Sequence, residues 1–402
     1  MIGFDFFLDR FGIFLSVLFV FIGIMSFIYA LATIRQRGHR LEYYLMLLLI
    51  VGTGVGVALS YNLLFIFIFW EISTFAIWRM VGYYRGKDNL YAANTTFIIN
   101  FGAGAMLLIG LVLLYVDNGT FNFFRIEIYN NLATVLILVG IFAKSVTVPI
   151  HIWLVPAYES IPSAIGGCLA GVAENIGVIL FLRLFSNGLY FSPGFFTTVA
   201  WLAIASSIIA GGAALLSNGL RNLLAFSTIS QIGFILLAFA VGGKFGVIGG
   251  MLYILAHALA KSGLFYGVGI VEDSTGKDDL RSLCCLLKIS PVLGVMMALL
   301  FGSLIGFFPM VGFFAKLWVV IAAVEKTLYL GVGAIVAAVF TLLYSARFYH
   351  ELFFAKRMLK SPQARRPSYT GITVVFLLAL ASLLLGILFY HPVNYLVGKG
   401  GF

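Results

Sequence analysis

Residues 140–144 read Gly-Ile-Phe-Ala-Lys and residues 312–316 read Gly-Phe-Phe-Ala-Lys, and each string lies beside a helix-interrupting proline. Pro149 follows Lys144 by five positions, and Pro309 precedes Lys316 by seven. Both strings are embedded in long apolar runs. Apolar windows fall near 11–33, 42–60, 62–82, 95–116, 131–158, 163–185, 195–217, 222–242, 246–271, 290–308, 311–326, 328–350 and 370–391. The two windows between 290 and 326 are short and are separated only by Gly306-Phe307-Phe308-Pro309, so they are either two crossings or one broken helix.

The composition agrees with such a chain. Of 402 residues, 62% are hydrophobic and 10% charged, with 40 Phe, far from the ~25% charged share of a soluble domain. At ~20 apolar residues per crossing, this is enough for roughly twelve transmembrane helices with short connections. No room is left for a soluble catalytic domain.

Loop charge decides between the two counts. With 290–326 crossing once and the N-terminus outside, sixteen of the 25 basic residues fall in cytoplasmic loops, six fall outside and three remain in the membrane. Two crossings there would put Arg347, Lys356, Arg357, Lys360, Arg365 and Arg366 outside, against the positive-inside tendency. The expectation is therefore an all-α polytopic protein of the cell membrane with about twelve transmembrane helices and both termini outside. The net charge of +10 then sets topology, and nucleic acid is not an expected partner. The start MIGFDFFLDR has neither the basic region nor the short apolar stretch of a cleaved signal. Cys168, Cys284 and Cys285 form no CxxC and no ligand spacing, so no cofactor is expected in this chain.

The two GxFAK strings also organise the chain. If 42–185 and 195–350 are five-helix repeats, the string lies in the fourth helix of each. An odd number of helices makes the second unit cross in the opposite sense, which gives two inverted five-helix repeats, each with a broken helix. Residues 1–41 then form an N-terminal helix and basic loop, and 351–402 a basic cytoplasmic loop and C-terminal helix. Broken helices in such plans lie near the bilayer midplane, where neighbours or water satisfy the freed backbone.

Ionisable residues inside the apolar segments are Glu71, Lys144, His151, Glu174, His257, Lys261 and Lys316. Each costs roughly 2.5–3.5 kcal/mol at the bilayer centre. A structural ion pair accounts for one such residue, but not for seven spread over both halves, and the set points to an ion pathway. By depth, Lys144 is the nearest counter-charge to Glu71, and a pair that forms and separates is a two-state switch. His257 and Lys261 are four apart on one helix face and suit a relay through water. His151 either extends the path toward the cytoplasm or sits at the interface. Glu174, in a Gly-rich helix, is either a path carboxylate or the partner of a lysine. Ser227, Ser230, Gln231 and Ser262 suit connecting waters, and Arg221 and Glu159 suit loop or anchor positions.

Five strings in order carry a family resemblance. They are Phe69-Trp70-Glu71; Phe142-Ala143-Lys144-Ser145 with Pro149, His151 and Trp153-Leu154; Leu223 to Gly233; His257-Ala258 with Lys261 and Leu264-Phe265; and Gly312 to Lys316. The chain resembles the antiporter-like, proton-translocating membrane subunits of respiratory complex I, energy-converting membrane-bound hydrogenases and Mrp-type cation/proton antiporters. The resemblance implies that Glu71 and Lys144 form the glutamate-lysine pair of the first half-channel, that Lys261 is the central lysine, and that Lys316 is the terminal residue. It also implies partners: further antiporter-like or small membrane subunits, and peripheral redox subunits with iron-sulfur clusters.

Two departures from the family pattern are visible. The match begins at the family's third helix, which implies two N-terminal helices fewer and no lateral extension. The helix at 163–185 lacks the Lys or His that many members carry, with Glu174 beside the aligned positions. The leading expectation is a proton-translocating subunit of a multisubunit redox-driven complex, with a Mrp-type sodium/proton antiporter subunit and a non-conducting structural subunit as rivals.

Overall fold

The computed structural model describes residues 8–34, 39–185, 193–355 and 367–398. Lys356, Arg357, Lys360, Arg365 and Arg366 of the basic loop lie outside the described residues, as do Arg35, Arg37 and the first seven residues. Among the described residues the chain is helical, with two isolated β-bridges and no strand.

The first helix, α1, spans Arg10–Thr33. The first five-crossing unit follows, with α2 (Arg40–Leu59), α3 (Leu63–Val81) and α4 (Lys87–Asn118). Its fourth crossing is broken into α5 (Asn131–Lys144) and α6 (Leu154–Ser160), joined by turns through Pro149. The fifth runs from α7 (Ser163–Cys168) through a π-turn at Leu169–Ala173 into α8 (Asn175–Phe185). The second unit comprises α9 (Pro193–Leu216), α10 (Leu220–Val241) and α11 (Gly243–Thr275). A short α12 (Leu286–Ile289) leads into the broken pair α13 (Pro291–Ile305) and α14 (Val311–Lys326), and α15 (Leu328–Tyr349) completes the unit. The chain continues through α16 (Tyr369–Ile387) and α17 (Tyr390–Val397).

Local chemistry sets many of these boundaries. Asn62, Asn130, Ser290, Thr327 and Ser368 accept at the first turns of α3, α5, α13, α15 and α16, satisfying amide groups that a helix start leaves open. In α13 the cap is followed by Pro291 at the first helical position, where its missing N–H costs nothing.

Hydrogen bonds between helix ends settle the crossing count. The Leu280 amide donates to the Asn218 carbonyl at 2.8 Å, so the loop after α11 lies on the same side as the α9–α10 turn. Arg347, near the end of α15, donates to the carbonyls of Leu215 and Ser217 and to Asn218 on that same side. The 22 residues of α15 rise about 33 Å, one crossing, so its start is on the far side. Between Pro291 and Lys326 the chain therefore crosses once, in two pieces. Among the described residues the total is twelve crossings, ten of them by helices long and apolar enough to span alone.

Three crossings form the centre. Residues 164–185, 227–241 and 246–271 are buried on every side, so the sixth, eighth and ninth crossings touch only other helices. The outer helices present apolar stripes instead. On α1 the exposed residues Val17, Val20, Ile24, Phe27 and Leu31 recur at helical spacing along one apolar edge.

The second unit repeats devices of the first on the opposite side of the membrane. One β-bridge joins Asn62, before the second helix of unit one, to Asn122, after its third; the other joins Gly219 to Asp279, at the same places in unit two. Arg183, near the end of the fifth crossing of unit one, donates to the Ala58 carbonyl at the end of that unit's first helix at 2.8 Å. Arg347 treats Leu215 and Ser217 in the same way in unit two. Each broken crossing is the fourth.

Candidate functional site

Glu71, Glu174, Lys261 and Lys316 share one depth. Glu71 stands about 12 Å and 15 Å from the two ends of α3, Glu174 about 16 Å from either end of its crossing, and Lys316 about 15 Å from the end of α14, from the helical rise. Lys261 is about 16 Å above the Arg221–Glu272 ion pair at the helix ends on the same basis. In a ~30 Å hydrocarbon core this is the middle.

Lys144 is the last residue of α5 and is buried. Its ammonium donates to Thr74 Oγ1 at 2.9 Å and to the Trp70 carbonyl at 3.3 Å, and lies 5.4 Å from the centre of the Trp70 ring. Glu71 is its electrostatic neighbour, but among the described residues the two make no contact ion pair. Glu71 instead lies against Gly104 of α4, where a β-carbon would overlap the carboxylate, and its Oε1 has no hydrogen-bond partner among the described residues. The structure thus holds the two charges near each other but apart, the separated arrangement of a pair that forms and separates.

His151 is in the turns between α5 and α6 rather than on a continuous helix with Lys144. Its Nδ1 is buried without a hydrogen-bond partner among the described residues.

The π-turn at Leu169–Ala173 ends at Glu174, whose amide donates to the Leu169 carbonyl at 3.1 Å. Such turns widen the helix and free carbonyls, and Asn175 takes two of them, donating to Gly171 at 3.0 Å and Ala170 at 3.4 Å. Glu174 accepts from the Tyr158 hydroxyl through Oε1, while Oε2 has no hydrogen-bond partner among the described residues. One side of this crossing meets α11, where β-carbons on Gly167 and Gly171 would overlap Tyr266 and Ser262. The other meets α5, where Gly177 lies against Ile141 and Ser145. Glu174 therefore stands between the Lys144 and Lys261 helices, and Lys261 is its electrostatic neighbour.

Lys261 is fully buried on α11 and donates to the Leu224 carbonyl at 3.0 Å and to Ser227 Oγ. His257, one turn away and also fully buried, has no partner at either ring nitrogen among the described residues. A hydrogen-bonded cluster follows: Tyr253 donates to Gln231 Oε1 at 2.6 Å, and Gln231 Nε2 donates to Tyr344 at 2.8 Å and Thr341 at 3.3 Å. Phe234, one turn beyond Gln231, lies under Lys316 at 5.0 Å. Lys316 donates to the Leu304 and Ile305 carbonyls at 2.7 and 3.2 Å. It thereby closes the open end of α13 across the break, where four carbonyls lack helical partners.

Ser230 is taken up in a reciprocal pair with Ser207, each hydroxyl donating to the other's carbonyl. Ser262 donates to Gly167. Arg221 is bonded at all five N–H positions, including the two oxygens of Glu272, an anchor. Tyr158, Tyr344 and Thr341 join the site without a local sequence signal. Tyr253 has one, standing four residues before His257 on the same helix face. Among the described residues no group of three His, Cys, Asp or Glu is placed to hold a metal.

The arrangement is a polytopic membrane protein whose two broken crossings and three buried central helices line up ionisable groups at mid-membrane, separated by hydroxyls, an amide and carbonyls. These are the features of antiporter-like membrane subunits. Residues 60–341 match the family described as NADH:quinone oxidoreductase/Mrp antiporter, TM, and the chain belongs to that family.

Individual relatives bracket it. NADH-quinone oxidoreductase subunit N of Alkalilimnicola ehrlichii is 30% identical over 94% of this chain and 80% of its own length. A Staphylococcus saprophyticus protein described as an antiporter subunit, mnhA2, is 27% identical over 97% of this chain, which spans about half of that relative's length at 53%. Among solved structures, the membrane-bound sulfane sulfur reductase, an archaeal respiratory membrane complex, contains a chain of the same fold. Its TM-score is 0.88 at 22% identity, over 98% of this chain and 83% of that one.

Proposed function

We propose that this subunit carries protons across the cell membrane as one of several membrane subunits of a redox-driven complex. The observation that carries the reading is the mid-membrane row of Lys144, Lys261 and Lys316, each donating to carbonyl or hydroxyl oxygens rather than to a contact carboxylate. Charges this costly are not needed by a scaffold. A lysine held by neutral acceptors can lose and regain a proton without dismantling an ion pair. Protons enter near Glu71 and Lys144, pass Glu174 to Lys261 and His257, and leave by way of the Gln231–Tyr253–Tyr344 cluster and Lys316. His151 lies at the break on the Lys144 side.

In this reading 42–185 and 195–350 are the two inverted units, the basic loops face the cytoplasm, and both termini face outward. The partners are further antiporter-like or small membrane subunits and peripheral subunits with iron-sulfur clusters, which carry the redox chemistry. Subunit-N-like relatives favour this assignment. The antiporter-subunit relative favours a second one, sodium/proton exchange with no redox partner, and the subunits that co-purify with the native chain separate the two.

The mechanism is tested by Lys261→Ala in the purified native complex. Electron transfer to a soluble acceptor is expected to persist while coupled acidification of vesicles falls at least tenfold. Undiminished proton movement in that variant would remove Lys261 from the path and the row with it.

A further inference from the structure

The inversion that relates the two units pairs their second and third helices residue by residue. The β-bridge residues Asn62 and Gly219 stand 157 positions apart, and so do their partners Asn122 and Asp279. The same step carries Leu63, the start of α3, to Leu220, the start of α10. It also carries the left-handed cap of α4, Gly119 at φ 66°, to that of α11, Gly276 at φ 68°. By this step Thr96, Asn100 and Gly104 on one face of α4 take the places of Tyr253, His257 and Lys261 on α11. Gly104, in the lysine's place, leaves the space that the Glu71 carboxylate fills from α3. We infer that Asn100, in the place of His257, is a third member of the Glu71–Lys144 site, a positioning residue whose side-chain oxygen accepts the proton that Glu71 carries.

Packing brings Asn100 to the site independently of the repeat. α3 and α4 run antiparallel, with Gly82 against Ala93 at one end and Glu71 against Gly104 the same distance along both helices. That register sets Asn100 level with Thr74 and Phe75, and Thr74 is the hydroxyl to which Lys144 donates at 2.9 Å. From α5, Gly140 lies against Leu107 and the Ala103 carbonyl of α4. Lys144, one turn further on, therefore reaches the level of Ala103, within a turn of Asn100.

The open atoms at this point are complementary to a proton. Asn100 is 2% exposed; its Nδ2 donates to the Thr96 carbonyl at 3.0 Å, and its Oδ1 has no hydrogen-bond partner among the described residues. Glu71 Oε1, against Gly104 one turn along α4, is a second buried acceptor in the same condition. Buried acceptors left open are costly, and one donor between two of them satisfies both. A proton carried by Glu71 supplies that donor, directly or across one water, since side chains four apart on a helix face start about 5–6 Å from each other. The Asn100 amide does not titrate, so it holds the proton without taking it, whereas the His257 ring in the same place of unit two can do both.

The inference rests on the proton-translocation reading, and its test separates the two. Native complex carrying Asn100→Leu, which keeps the volume and removes the oxygen, is compared in vesicles with Asn100→Ser and with the parent. Proton movement per assembled complex should fall at least fivefold in Asn100→Leu and stay within about threefold of the parent in Asn100→Ser, whose hydroxyl accepts across one water. The second readout is the Glu71 carboxyl stretch in pH-induced infrared difference spectra, assigned as the band that Glu71→Gln abolishes. In Asn100→Leu this band should move to higher wavenumber, as a carboxyl O–H does on losing its acceptor; a purely structural role for Asn100 would leave it in place. Should leucine block assembly, Asn100→Ala takes its place with the same two expectations. Proton movement intact in the variant, or lowered with the Glu71 band unmoved, overturns the inference and leaves the translocation reading standing. A parent complex that moves no protons overturns both together.

Discussion

The buried cations of this chain divide by partner. Arg183 grips Asp9 with two hydrogen bonds of 2.6 and 2.8 Å, and Arg221 grips Glu272 with 2.6 and 2.7 Å, both near the ends of crossings. A guanidinium held bidentately is a fixed charge. Among the described residues, Lys144, Lys261 and Lys316 at mid-membrane donate only to neutral acceptors. Among the described residues, Glu174 is the one fully buried carboxylate near them, with a single oxygen engaged by Tyr158. If Glu174 is the link between the halves, Glu174→Gln should cut proton movement at least tenfold, because the amide keeps the Tyr158 bond but cannot carry charge. Tyr158→Phe should cut it less, since the carboxylate remains. Both are read as vesicle acidification per assembled complex. Equal activity of Glu174→Gln and the parent chain would assign Glu174 a packing role.

At the scale of elements, much was legible before the structure. The prolines beside two GxFAK strings located both broken crossings, because a proline inside a helical run removes an amide and clashes with the preceding turn. The π-turn before Glu174 was not legible, since nothing in Leu169–Ala173 distinguishes a widened turn from an ordinary one; packing against Tyr266 and Ser262 accompanies it. Nor was the separation of Glu71 from Lys144, which depends on where Thr74, Trp70 and Gly104 lie in space.

The break at 306–310 has its own chemistry: Lys316, on the downstream helix, caps the upstream one, where a cation also suits the helix dipole. Lys316→Met should leave two carbonyls open and cost about 1–3 kcal/mol, seen as a lower melting temperature in detergent. Lys316→Arg should restore most of the melting temperature but not proton movement, because a guanidinium keeps its proton. Recovery of transport in the arginine variant would show that Lys316 serves the fold only.

For the molecule as a whole, the equivalent use of Arg183 and Arg347 ties the two units to one plan. Each arginine closes the end of its own unit's first helix from that unit's fifth crossing, and the two closures lie on opposite faces of the membrane. Inversion explains why: the same local packing, turned over, brings the same backbone carbonyls under the same kind of side chain. If the clamps are structural rather than part of the ion path, Arg183→Ala and Arg347→Ala should each lower the melting temperature of the detergent-solubilised complex. Arg183 should cost more, because its loss also strands a half-buried Asp9. The expected scale is about 1–3 kcal/mol for Arg183 and about 1–2 kcal/mol for Arg347. Lysine at either site should recover only part of the loss, since a single ammonium cannot reproduce the planar fork. Proton movement per folded complex should stay within twofold of the parent in both variants. A variant that melts normally yet stops transport would instead move its arginine from the frame of the repeat into the path.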